Sequence, residues 1–303
     1  MPRKTITVFL IITLMVFFTY NPVAAKVIPL NKLAEAEEII YGSVQEDAII
    51  NRIANLEKTI YDKKMTGSLI ERSERIVNYV LPTGDKPSLV FMINTLEWAL
   101  TNNISNGQIH ERLDRIEEMV FGQVQSGAMV DRIKRLLELS LPEGKIPVEK
   151  IVLPADTLMK IKLLDKISSL DSHVGDKVSF SIVNDIIVEG NMIIPANTRG
   201  YLRISSIDAA GKMGKDGDVK LSFSDIIAID GSKIAVKIDE KSQNENRSKE
   251  LAIGASVLGS IILGPVGLIA GFFVQGDEEE VPAGTELFVQ TENSYEVYSL
   301  VLN

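Results

Sequence analysis

An α+β protein in two parts is predicted by three observations. Amphipathic helical segments recur every 20 residues from Lys32 to Leu141. After Pro147 the composition shifts to β-branched residues in alternation. Inside that second part lies a 24-residue stretch without a charge, Leu251 to Val274. These predict an N-terminal all-α repeat array over 26–145, then a small antiparallel β-barrel or sandwich over 146–303. The apolar stretch, at 251–275, is expected to be an inserted Gly-rich helical hairpin.

The chain opens with Arg3 and Lys4 ahead of the apolar run Thr5 to Phe18, then Tyr20-Asn21-Pro22 and Val23-Ala24-Ala25. A basic start, a short apolar core and small residues at its end are the parts of a secretory signal peptide, with cleavage expected after Ala25. The run is short for a spanning helix. Removing it takes away two basic residues and leaves a chain more acidic than its formal −9. An acidic chain with pI near 5.0 argues against nucleic acid as a partner, which needs a basic footprint. The absence of cysteine excludes disulfides, thiolate–zinc sites and thiol catalysis. His110 and His173 have no partner at metal spacing, so no metal site and no cofactor is expected.

In the helical part Arg52, Arg72, Arg112 and Arg132 share one register. Glu37, Glu57, Glu97 and Glu117 share a second, and Tyr41, Tyr61 and Phe121 a third. Leu81-Pro82 recurs as Leu141-Pro142, a longer period of 60 that suggests duplication of a three-unit block. Ile49, Ile53, Leu56 and Ile60 form an apolar stripe, repeated by Ile109, Leu113, Ile116 and Val120 and by Leu89, Ile93, Leu96 and Leu100. Glycines at 42, 67, 107, 122 and 127 punctuate the intervals. Twenty residues hold one helix and a loop, so five or six helices must pack together, and the array is expected to fold as a unit of its own. The Arg and Glu registers read as a solvated face with occasional intrahelical pairs. The alternative is a regular polar surface for a repeating partner such as a cell-wall polymer.

One turn is spelled three times in the β part: Leu153-Pro154-Ala155-Asp156-Thr157, Ile194-Pro195-Ala196-Asn197-Thr198 and Val281-Pro282-Ala283-Gly284-Thr285. Pro154, Pro195 and Pro282 fix φ at one position. Asp156, Asn197 and Gly284, two residues on, are types that tolerate a left-handed backbone. Each turn opens a strand. Gly190-Asn191 and Asp230-Gly231 read as two-residue hairpin turns, and seven or eight strands are expected. Ala209 to Asp218 is a glycine-rich loop without the spacing of a phosphate or calcium loop.

The apolar stretch carries Gly254, Gly259, Gly264, Gly267 and Gly271, and Gly264-Pro265 interrupts it. Gly267 and Gly271 make a GxxxG pair, and Ala252, Ser256, Ser260 and Gly264 place small side chains on one stripe where a second backbone could approach. One kinked spanning helix, two short helices folded back at Gly264-Pro265, or the core of a soluble domain are the alternatives. The hairpin is favoured because the strands on either side must rejoin one sheet.

The segment from Ile146 to Ile204 resembles the C-terminal β-barrel of TrbI-like proteins, channel components of type IV secretion and conjugation systems. The resemblance is carried by Ser168-Ser169 and Gly175-Asp176, and by Ile194-Pro195-Ala196-Asn197-Thr198 with Gly200. It implies a barrel from which a helical hairpin projects and crosses the outer membrane in a multimer, the role open to Leu251 to Val274. The family's cytoplasmic tail, spanning helix and Pro-rich region are replaced here by a signal peptide and helical repeats. The function expected is that of a non-enzymatic exported envelope protein of the periplasm or outer membrane, a structural or channel component acting as a homo-oligomer. The alternative is a soluble binding module for a cell-wall polymer or a protein. No nucleophile elbow, metal set or cofactor loop is spelled, so no catalytic residue is named.

Overall fold

The structure, a computed structural model, describes residues 27–83, 86–168, 172–208, 218–253, 262–264, 268–270 and 280–302. The expected signal peptide, most of the 209–218 loop and most of 251–275 lie outside them. Among the described residues the first part contains six α-helices: α1 Leu30–Tyr41, α2 Ile49–Tyr61, α3 Leu69–Val80, α4 Leu89–Thr101, α5 Ile109–Phe121 and α6 Met129–Ser140. Each buries an apolar stripe in the helical core, for example Ile53, Leu56 and Ile60 on α2 and Ile109, Leu113 and Ile116 on α5, and α4 buries a second face through Phe91. Stops are local. Gly42, Asp62, Asn102 and Gly122 end α1, α2, α4 and α5 in the left-handed region. The third helix of each block, α3 and α6, instead ends on an extended leucine, Leu81 or Leu141, followed by proline. The 60-residue period is therefore visible in the backbone. α1 packs on α3 and α4 on α6, while α1·α5 and α2·α6 join the two blocks over one core.

Among the described residues every strand pairing in the second part is antiparallel. The largest sheet is assembled from β2 (Leu158–Leu163), β4 (Lys177–Ile182), β7 (Arg199–Asp208), β8 (Asp218–Phe223), β11 (Val236–Lys237), β12 (Ile262–Gly264), β13 (Leu268–Ala270) and β15 (Glu286–Thr291). Its order is β11-β15-β2-β4-β7-β8-β13-β12. β8 approaches β11 across a gap lined by Leu221, Phe223, Val236 and Ile238, so the sheet nearly closes on itself. Its interior is filled by Met159, Ile161, Phe180, Ile182, Leu202 and Val289. Phe180 can lie across β7 because its partner is Gly200, where a Cβ would fall 2.4 Å from the ring. A second sheet, β1-β16-β6-β5, joins β1 (Val148–Leu153), β16 (Tyr295–Val301), β6 (Asn191–Ile194) and β5 (Ile186–Val188). Two further pairs are β3 (Ile167–Ser168) with β14 (Glu280–Val281), and β9 (Ile226–Ile227) with β10 (Lys233–Ile234).

Three expectations are corrected. The described strands number sixteen, not seven or eight, because bends split runs that read as continuous: Val178 to Val188 breaks between β4 and β5. The β5–β6 turn is Glu189-Gly190, with φ of 51° and 79°, and Asn191 already belongs to β6. Within the apolar stretch, the described residues past Ile253 are strands rather than helices. β12 pairs with β13 around Gly264, and β13 pairs with β8. A stretch that is apolar or small at every position carries no period that separates helix from strand. Here the free edge of β8 offers backbone partners that a helix would leave unpaired.

Candidate functional site

The helices are locked by one interaction made four times. Arg52 donates through Nε and Nη2 to Glu37 at 2.8 and 2.7 Å, and Arg72 to Glu57 at 2.9 and 2.7 Å. Arg112 binds Glu97 at 3.2 and 2.6 Å, and Arg132 binds Glu117 at 2.9 and 2.6 Å. The same carboxylates accept a backbone N–H from the following loop: Gln45, Met65, Ser105 and Gln125 donate at 2.8 to 3.1 Å. Each glutamate thus holds its own loop and the next helix at once. Glu37, Glu57 and Glu117 are fully buried and Glu97 nearly so. Burial alone would push the Glu57 carboxyl up, but the Arg72 and Met65 hydrogen bonds hold it below the usual carboxylate range. Hydrogen bonding to Glu57 likewise raises Arg72.

The solvated-face expectation for these two registers is therefore overturned. A charge on an amphipathic helix faces water only where no neighbour covers it, and here the next helix does. The second block adds an acceptor: Asn94 and Asp114 each take an Nη2 hydrogen at 2.6 Å, where Ala34 and Ala54 stand in the first. Between α3 and α4 the pair is missing. Val77 and Met92 occupy its two registers.

α4 also carries the junction of the two halves, and no sequence signal short of its unusual apolarity marked it. Ser88 caps α4 by accepting from Phe91 N–H at 3.1 Å and donates its own hydrogen to the Asp230 carbonyl at 3.1 Å. Asn94 donates to the Ile229 carbonyl at 2.8 Å while serving Arg112. Phe91 packs with Met192, Ile229 and Leu300. The array is consequently not closed on itself. Asp230 is buried at this junction, and burial pushes its carboxyl up; the Ser232 and Tyr298 N–H groups and the Ser232 hydroxyl hydrogen-bond it. Gly231, with φ of 91°, lets β9–β10 touch α4, since a Cβ would lie 2.8 Å from Val90 Cγ1.

The three spelled turns share one geometry. Asp156, Asn197 and Gly284 have φ of 58°, 64° and 92°. After each, the threonine hydroxyl donates back to the proline carbonyl: Thr157 to Pro154, Thr198 to Pro195 and Thr285 to Pro282, at 2.7 to 2.8 Å. Each turn then grips the end of a neighbouring strand with two backbone bonds. Asp156 N–H donates to Thr291 and Thr291 N–H to Thr157; Asn197 with Ile182 and Thr198, and Gly284 with Leu163 and Thr285, repeat the pattern. The hydroxyl's part was not read from the sequence, although the invariant spacing of Thr from Pro carried it.

The apolar stretch is rooted at both ends in the β half. Before it, α7 (Glu240–Ile253) is strapped to β15: Asn246 donates to the Phe288 carbonyl at 3.1 Å and accepts the Phe288 N–H at 2.7 Å. Ser242 N–H adds a bond to Gln290 Oε1. After it, β14 pairs with β3. Gly264 ends β12. Gly254, Gly259, Pro265, Gly267 and Gly271 lie outside the described residues. No helix among the described residues is long and apolar enough to cross a membrane, and none of them form a group of three or more metal-ligating side chains.

No protein-family model matches the chain, and no curated protein matches it. Among solved structures it is similar to ComB10 of the Com type IV secretion system of Helicobacter pylori, with a TM-score of 0.27 and 14% identity. That match covers 47% of this chain and 88% of ComB10.

Proposed function

We propose that this chain is an exported, non-enzymatic scaffold of the cell envelope. In this reading the β half is the platform, the apolar stretch enters a membrane or joins neighbouring copies, and the helical half reaches a further component. The observation that carries it is the rooting of an uncharged, glycine-punctuated 24-residue stretch at both ends in the β half, through α7 on β15 and β14 on β3. The stretch is tied to the β half before, within and after its length, the middle tie being β13 on β8, so its other residues can engage a membrane or a neighbour without pulling the fold apart. Its small residues suit close packing against copies of itself. The signal-like start supports export.

The test is fractionation of cells producing the full chain and a variant lacking 254–279. The full chain is expected with the envelope membranes and as detergent-stable oligomers, and the deletion variant in the soluble fraction. Recovery of both as soluble monomers would overturn the reading in favour of a soluble binding module. That second reading is favoured by one observation, a cleft of about 720 Å³ between the halves, walled by Ile39, Val90, Ile227 and Val297.

A further inference from the structure

The missing Glu–Arg clamp between α3 and α4 leaves a seam, and the seam holds a cleft of about 920 Å³. Met92, standing in the arginine register, forms part of its wall. Tyr61 and Tyr79 line it with ring centroids 5.7 Å apart and planes tilted by 49°. Arg75, Asn78, Thr83 and Lys86 add polar groups to the lining, and Lys145 stands at the edge, 3.7 Å from Glu143. Among the described residues that line the cleft there is no carboxylate side chain, in a chain of formal charge −9. The cleft between the two halves shows the contrast, since Glu35, Glu38 and Glu296 line it.

The internal duplication supplies a control. Sixty residues on, Tyr61, Tyr79, Asn78 and Lys86 correspond to Phe121, Leu139, Glu138 and Ile146. Arg75 keeps its type, as Arg135, and so does Pro87, as Pro147. The second block therefore has the same helical frame without these hydroxyls, the amide or the second cation, and with two carboxylates added, Glu138 and, in place of Thr83, Glu143. A stability role for the frame would be served equally by either set. Arg75 donates to the Thr66 and Glu71 carbonyls, as Arg135 does to Ser126, so its part is shared by both blocks. What the first block adds lies in the direction of binding: Lys86 for an anionic group, hydroxyl and amide donors beside it, and aromatic edges with Met92 for an apolar face. Burial pushes the Tyr79 hydroxyl up, so it remains a neutral donor at neutral pH.

We propose that the seam cleft is a binding site for an acidic saccharide, a sugar chain bearing carboxylate or phosphate groups. The proposal goes beyond the scaffold reading and does not depend on membrane insertion. A sugar ring presents an apolar face to tyrosine and methionine, its hydroxyls meet Asn78 and the phenols, and its acid group sits among Arg75, Lys86 and Lys145. An anionic lipid headgroup shares only the last of these features.

The experiment titrates the mature full chain by calorimetry with a trimer of galacturonic acid, the matching neutral galactose trimer, inorganic phosphate, and phosphatidylglycerol vesicles. The acidic trimer is expected to bind, and the neutral trimer and phosphate to bind far more weakly. Lys86→Ile and Tyr79→Leu, each installing the residue of the second block, should weaken it about tenfold. Emission from Trp98 reports the fold of each variant, and Lys86 is exposed, so its change leaves the core intact. Absence of binding, equal binding of the neutral trimer, phosphate binding as tightly as the trimer, or unchanged affinity in Lys86→Ile would each overturn the proposal. Competition by the vesicles would overturn it in favour of a lipid surface. The fractionation test of the scaffold reading stands apart from all of these outcomes.

Discussion

The helical half and the β half both repeat a short device, and they lock it by different chemistry. Between helices the lock is a buried side-chain pair, Glu with Arg fifteen residues later, on a backbone that any helix former would adopt. Between strands it is a backbone turn, Pro-Ala-x-Thr, whose left-handed third residue and threonine hydroxyl aim two main-chain groups at the neighbouring strand. The first lock depends on charge being compensated out of water. The second depends on conformations few residues tolerate. The two should therefore fail differently.

The largest effect is expected at the clamps. Glu57→Ala leaves the Arg72 guanidinium buried without its carboxylate and should cost about 3–5 kcal/mol in denaturant unfolding. The double change Glu57→Val with Arg72→Met copies the residues of the Val77/Met92 seam and should recover part of that loss, because a buried pair contributes little over apolar packing, while the Met65 N–H left without its acceptor keeps about 1 kcal/mol of it or more. A single variant within about 1 kcal/mol of the wild type would show the pair to be superficial.

Between the halves the effect should be smaller. Gly231→Ala adds a Cβ at positive φ against Val90, and a loss of about 1–3 kcal/mol is expected. Val90→Ala in that background should restore part of it by clearing the methyl. Absence of coupling between the two changes in a double-mutant cycle would mean that α4 and β9–β10 do not press together there.

At the turns the cost should be smallest and set by conformation. Asn197→Val is expected to lose about 1 kcal/mol or more, while Asn197→Gly should be tolerated within a few tenths. Thr198→Val removes only the hydroxyl bond to Pro195 and should lose about 1 kcal/mol. Equal stability of the valine and glycine variants at 197 would count against a left-handed requirement.

The apolar stripes, the left-handed stops at Gly42 and Gly122 and the three turns were readable in the residues themselves, because each depends on the conformation or periodicity of a few consecutive positions. The Glu and Arg registers were readable as registers, but not as partners. A charge on a helix is spelled the same whether it meets water or the next helix, and a separation of fifteen residues means contact only once the helices have docked. Ile262–Gly264 and Leu268–Ala270 lie in a stretch with no polar alternation to carry a period, so the choice between helix and strand fell to the open edge of β8. Ser88, Asn94 and Asp230 are ordinary polar residues until α4 is laid against the second sheet. The sequence by itself determined where the chain turns and which faces are apolar, since those are local energies. Only the tertiary structure decided which charges are buried and which elements meet, because desolvation belongs to the neighbours and not to the residue.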